Sequence, residues 1–312
     1  MRITTLLVAL GLPLFSFAQS IPKLIAKNAT LKQIAIGYKF TEGPAVDFSG
    51  NVYFTDQPNN QILRWSTRGK IEVFMENAGR ANGLYIDNEG NLLACADEKN
   101  ELWKINPKDQ KVEILVKSFE DKKLNGPNDL WVDPKGGIYL TDPFYKRPYW
   151  KRTEKEIPQE NVYYLTPDYQ TLKLVATDFI RPNGIIGTAD GKKLYVADIN
   201  GEKTYVFSIQ PDGSLSDRKV FVEMGSDGMT LDNKGNLYLT GRGVTVFNKK
   251  GKKIGTIKIP ENWTANVTFG GPNLKTLFVT AMQSIYTLDM KVRGIRWKSR
   301  KIKKDMKPPW EE

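Results

Sequence analysis

The 312-residue sequence contains no histidine. That absence excludes Ser-His-Asp and Cys-His catalysis, histidine-ligated zinc and imidazole acid–base chemistry in one step. Any catalysis falls to carboxylates, amides, lysine, tyrosine or a bound metal. Oxygen donors of this kind favour calcium, magnesium or manganese over copper or structural zinc. Cysteine is nearly absent too: Cys95 stands alone, so no internal disulfide can form. Its place in the apolar run NLLACAD marks it as a small core residue. No helical periodicity of useful length runs through the chain.

Long apolar runs are equally scarce. The one at the N-terminus, Thr4 to Phe17, is too short and too poorly flanked for a membrane anchor. Arg2 before it and Ser16-Phe17-Ala18 after it give the form of a cleaved secretory signal. Residues 1–18 are therefore expected to be a signal peptide, with a mature chain from Gln19 that is periplasmic or secreted. Roughly 290 residues remain, enough for one large β domain over 19–297. The formal charge of +11 lies heavily at the C-terminus, from Lys291 to Lys307. Residues 298–312 read as a solvated basic tail, with an anionic partner as the functional alternative. No nucleic-acid-binding pattern accompanies it, and a monomer is expected.

What is abundant is repetition. Six times a carboxylate or amide residue opens a short apolar strand, followed by a Gly-bearing turn and a second strand. The openings are Glu42 in TEGPAVDFSGNVYFTD, Asn82 in ANGLYIDNEGNLLACAD, Asn128 in GPNDLWVDPKGGIYLTDP, Asn183 in PNGIIGTADGKKLYVAD, Asp227 in SDGMTLDNKGNLYLT and Asn266 in ANVTFGGPNLKTLFVTA. They are spaced by 40, 46, 55, 44 and 39 residues. A third apolar segment follows each pair and a fourth follows five of them, all rich in Val, Ile, Tyr and Phe. A strand-only period of this length predicts an all-β fold: a six-bladed β-propeller of four-stranded antiparallel blades around a central channel.

The sixth repeat has no clear fourth strand. The segment LKQIAI, residues 31–36, precedes the first repeat and belongs to no blade, so it is expected to complete the last one; VRGIRW, residues 292–297, competes for that role. The 55-residue spacing holds an insertion, DPFYKRPYWKRTEKEIPQENVYYL, between the second and third strands of its blade. An aromatic and basic loop there can overhang the channel, and Tyr145 is its candidate substrate contact.

Singly, an Asn-Gly or Asp-Gly pair is an ordinary turn former. Their shared phase changes the reading, because a propeller turns equivalent positions into neighbours. Glu42, Asn128, Asn183 and Asp227 would project oxygens towards a common point. Two carboxylates confined there repel and lose hydration; one divalent cation relieves both costs, and amides add neutral ligands. The alternative is a hydrogen-bonded plug lining the channel.

These five motifs, those opened by Glu42, Asn128, Asn183, Asp227 and Asn266, resemble in order and spacing the SMP-30/gluconolactonase family (senescence marker protein 30, regucalcin) over essentially residues 35 to 290. The resemblance implies a six-bladed propeller with a divalent metal in its channel, calcium foremost and magnesium, manganese or zinc as alternatives. It puts the metal ligands on Glu42, Asn183 and Asp227, and a contact to substrate or metal-bound water on Asn128. It makes Asp227 the catalytic acid–base residue as well, although bonding to a cation weakens a carboxylate as a base. Some sugar-lactonase members carry Arg two residues before the Asn128 position; this chain has Gly126 and resembles a bacterial branch with Asn125 to Asp129 as N-x-P-N-D. Related propellers that hydrolyse organophosphates use a histidine near the metal, which argues against that route here. The expectation is a metal-dependent lactonase acting on a small sugar lactone; its rival is a non-enzymatic propeller in which metal pins the fold and a ligand binds at the mouth.

Overall fold

The computed structural model describes residues 21–295, and the expected signal segment and the tail 298–312 lie outside them. Among the described residues the strands are Lys32–Ile36 (β1), then four per blade. Blade 1 is Thr41–Val46 (β2), Val52–Asp56 (β3), Gln61–Trp65 (β4) and Ile71–Glu76 (β5). Blade 2 is Ala81–Ile86 (β6), Leu92–Ala96 (β7), Glu101–Ile105 (β8) and Val112–Val116 (β9). Blade 3 is Leu130–Val132 (β10), Ile138–Asp142 (β11), Glu160–Leu165 (β12) and Leu172–Phe179 (β13). Blade 4 is Pro182–Gly187 (β14), Lys193–Asp198 (β15), Lys203–Ile209 (β16) and Leu215–Val222 (β17). Blade 5 is Met229–Leu231 (β18), Leu237–Leu239 (β19), Val244–Phe247 (β20) and Lys253–Ile257 (β21). Blade 6 opens with Asn266–Gly270 (β22), Thr276–Ala281 (β23) and Ser284–Asp289 (β24).

Each blade is an antiparallel meander, and β1 supplies the fourth strand of blade 6 by pairing with β24. The N-terminal closure expected from the sequence is therefore the one adopted. Of the competitor, residues 292–295 are described and make only an isolated bridge, Gly294 to Asp232. Each first strand lies innermost, and β2 touches both β6 and β22, so the inner ring is closed. Ile34 and Ala35 of β1 pack against Val52, Phe54 and Phe278, joining the two ends of the chain through an apolar seam between blades 6 and 1.

Two local devices recur. At one end of the ring Asp47, Asp87 and Asp232 tie the first hairpin of their blades: Oδ1 of Asp47 accepts the amides of Ser49 and Asn51 at 2.8 and 2.9 Å. At the other end the last residue of the second strand fastens the loop leading into the first. Asp56 accepts the amides of Lys39 and Phe40, Asp142 those of Asn125 and Gly126, and Asp198 those of Ile180 and Arg181. These loops deliver the opening residues, so the repeat's second strand positions its first. Cys95 lies in β7, fully buried, with its thiol pushed up by burial, as a core residue should be. No helix among the described residues is long and apolar enough to cross a membrane.

Candidate metal centre

The opening residues converge, though not all as strand prefixes. Glu42, Asn82 and Asn183 are the second residues of β2, β6 and β14, Asn266 is the first of β22, and Asn128 and Asp227 stand two residues before β10 and β18. In β2, β6 and β14 the register shifts at the opening residue: directly after Glu42, before Ala45, and around Asn82 and Asn183, between Ala81 and Leu84 and between Pro182 and Ile185. Such bulges re-aim a side chain beside a site. The glycines that follow do not make turns, contrary to the simplest reading of Asn-Gly and Asp-Gly. They let neighbouring blades touch: a Cβ at Gly43 would strike the carbonyl of Asn82, one at Gly184 the carbonyl of Asp227, and one at Gly228 the side chain of Asn266. Opening residue and glycine thus form a ring of close contacts around the channel.

Glu42, Asn128, Asn183 and Asp227 are all buried. Glu42 Oε2 accepts the amide of Gly43 at 2.9 Å and Nδ2 of Asn266 at 3.3 Å. Burial, then the charge of Asp227, holds the Glu42 carboxyl well above the usual carboxylate range. Asp227 Oδ2 accepts the indole N–H of Trp263 at 2.6 Å, and burial raises its pKa to about 6 against the opposing pull of Trp263 and Asn183. Asn183 Nδ2 donates to the Tyr145 hydroxyl at 3.0 Å. The insertion therefore does overhang the channel, and Tyr145 stands beside the predicted ligands. Asn128 gives its carbonyl to the Gly83 amide at 2.7 Å, which pins the loop carrying its side chain. Asn82 makes no hydrogen bond to Glu42, Asn183 or Asp227 among the described residues.

Three residues of this neighbourhood have no site role from the sequence: Asn266, singled out only as an opening residue, and Asp129 and Trp263. Asn266 has the right phase and reaches Glu42. Asp129, with its pKa raised to about 7 chiefly by burial, interacts with Asn266 and Asp227. Trp263 lies outside every repeat signature, and only its proximity to Asp227 reveals it. Residues from all six blades line a cavity of about 40 Å³, among them Pro44, Tyr85, Asp129, Ile185, Thr230 and Asn266.

The donor set fits a divalent cation. Among the described residues neither Glu42 nor Asp227 has a Lys or Arg within 4.0 Å. No third His, Cys, Asp or Glu joins them in a metal-holding group there. Two buried acids in mutual repulsion, with amide oxygens alongside, balance one doubly charged ion and a mixed carboxylate–amide shell. At position 126, where Arg occurs in some lactonases, a Cβ would sit 2.8 Å from Asp97 Oδ1 and 3.0 Å from the Trp150 ring. Asp97 and the insertion occupy that space.

Fold and site together define a six-bladed propeller with an oxygen-donor centre at one end of its channel. Residues 40–283 match the SMP-30/gluconolactonase/LRE-like region, and the chain belongs to that family. It is 26% identical over 308 residues to the gluconolactonase of Zymomonas mobilis, covering 89% of this chain and 86% of the relative. Rabbit (Oryctolagus cuniculus) regucalcin is 27% identical over 242 residues, covering 74% and 79%. The solved structure of a gluconolactonase from Xanthomonas campestris superposes with a TM-score of 0.80 at 27% identity, covering 87% and 92%.

Proposed function

We propose that the protein is a hydrolase that opens a sugar lactone of the gluconolactone type, or a related cyclic ester, with a divalent cation held by Glu42, Asn183 and Asp227. One observation carries this reading: two buried carboxylates repel each other with no Lys or Arg within 4.0 Å among the described residues, in a chain whose relatives include gluconolactonases. A cation bound there would supply Lewis-acid polarisation of the lactone carbonyl and charge to stabilise the developing oxyanion. Calcium suits the donor set best, with magnesium, manganese and zinc as alternatives.

The chain's own groups divide the remaining tasks. Asn128, pinned through its backbone, orients the attacking water and the substrate. Asp227 takes the proton that the water loses as its oxygen adds to the carbonyl carbon. Trp263 fixes the Asp227 carboxylate through its 2.6 Å bond. The Tyr145 hydroxyl already accepts from Asn183, so its own hydrogen is left for an oxygen of the substrate. The ring C–O bond breaks as Asp227 returns that proton to the leaving oxygen, giving the open hydroxy acid.

The test is hydrolysis of a lactone panel including gluconolactone, followed by acid release after chelation and again with each metal restored. Metal-restored turnover should fall about 100-fold or more in both Glu42→Gln and Asp227→Asn. Tight metal binding without turnover on any lactone would leave a non-enzymatic, metal-stabilised propeller instead. Secretion through residues 1–18 belongs to the same proposal; mass spectrometry of the exported protein should find Gln19 as its first residue.

A further inference from the structure

Tyr145 marks the mouth of the site, since its hydroxyl meets Asn183 at 3.0 Å. Two guanidinium groups lie against its ring. The carbon of Arg181, from the loop before β14, is 4.8 Å from the ring centroid, and that of Arg147, from the insertion, is 5.4 Å away. Either alone would satisfy a cation–π contact. Two like charges at one ring repel each other, and holding both there needs a compensating force.

Each arginine is held through one edge. Arg147 Nε donates to Oδ2 of buried Asp97 at 2.6 Å. Arg181 Nε stands 3.7 Å from Oε2 of buried Glu160, whose other oxygen is 2.6 Å from Lys155. Glu160 therefore faces two cations, and the positive charge of Arg181 is left in excess. The terminal guanidinium nitrogens of Arg147 and Arg181 make no hydrogen bond among the described residues. Their side chains remain 21% and 31% exposed, neither sealed in the fold nor loose in solvent. Planar guanidinium forks with free outer edges are the usual receptor for a carboxylate or phosphate.

We infer that Arg147 and Arg181 read an anionic group on the substrate, so that the preferred substrate is a sugar lactone bearing a carboxylate or a phosphate. The inference rests on the lactonase reading and adds the substrate class. Tyr145 then stands between the reacting ring and the charged end of the same molecule, and the anion relieves the repulsion of the two arginines.

The experiment compares kcat/KM on three lactones in the metal-loaded protein: neutral gluconolactone, the 1,4-lactone of glucaric acid and 6-phosphogluconolactone. The expected result is a preference for one anionic lactone of about 10- to 100-fold, the range of a hydrogen bond to a charged group. Which anionic lactone is favoured distinguishes carboxylate from phosphate. Arg181→Gln should erode that preference while leaving neutral lactone within about 3-fold, Arg147→Gln should erode it beyond any loss it causes on neutral lactone by releasing Asp97, and added salt should weaken only the anionic substrate. Equal turnover of all three lactones, or parallel losses on all three in the variants, would overturn the proposal and leave the arginines as braces of the loop. If no lactone is hydrolysed, the enzymatic reading fails separately, and calorimetry decides the anion site. Glucarate or 6-phosphogluconate binding more tightly than gluconate, and losing that margin in the variants, supports it; equal binding of all three refutes it.

Discussion

Blades 1, 3 and 4 and blade 2 each carry an Asp at the end of the second strand, one residue apart in register, and use it for different ends. Asp56, Asp142 and Asp198 each close a second strand and fasten the loop of their own blade through two backbone amides. In blade 2 Ala96 holds the equivalent register and Asp97 follows one residue later, so its carboxylate is turned away from the loop of its own blade. Oδ2 accepts Gln57 Nε2 from blade 1, and Arg147 Nε and the Tyr149 hydroxyl from the insertion of blade 3, while its carbonyl accepts the Trp150 indole at 2.9 Å. Three Asp residues hold the ring together, and the fourth straps a loop across the mouth. A shift of one residue within a repeat is enough to change the role of the side chain.

The comparison can be broken most severely at the ring itself. Removing residues 19–37 deletes β1 and bares the edge of β24, so the melting temperature should drop by about 10 °C or more; an unchanged value would mean that β1 contributes nothing to closure. Asp142→Ala comes next. It strands the buried amides of Asn125 and Gly126 and should cost roughly 2–5 kcal/mol in denaturant unfolding. Asp97→Asn should affect the loop more than the fold. Proteolysis within 143–159 should accelerate and KM rise roughly 5- to 50-fold with kcat less affected, whereas a stability loss matching that of Asp142→Ala would erase the distinction between the two roles.

The smallest effect is a pH trend. Asp142 and Asp129 each have a pKa raised to about 7, first of all by burial. The folded chain then holds protons that the unfolded chain releases at the ordinary carboxylate value near ~4. Stability from these groups is present at low pH and is lost as pH rises from about 4 to 7. Melting of the chelated protein should therefore move downward between pH 5 and pH 7.5. A rising curve would show that both carboxylates are stabilised as anions.

Much of this was readable from residue order. The phase of Glu42, Asn128, Asn183 and Asp227 was visible because a propeller repeats its strands at nearly constant length, so equal phase becomes equal position. Residues 31–36 could be assigned to the last blade because that blade lacked a strand and an unpaired edge is costly. Asp129 was masked as an ordinary member of N-x-P-N-D. Trp263, Arg147 and Arg181 carry no phase at all, since loops between strands vary in length and composition independently of the repeat.

Sequence alone determined the six-fold β architecture, the exclusion of histidine chemistry and the set of oxygen donors, because strand periodicity and residue type are local properties of the chain. Tertiary structure decided which glycines make turns and which let blades touch, which Asp fastens its own loop, and that two arginines meet at Tyr145. Those outcomes depend on distances between segments far apart in the chain, and such distances exist only once the ring has closed.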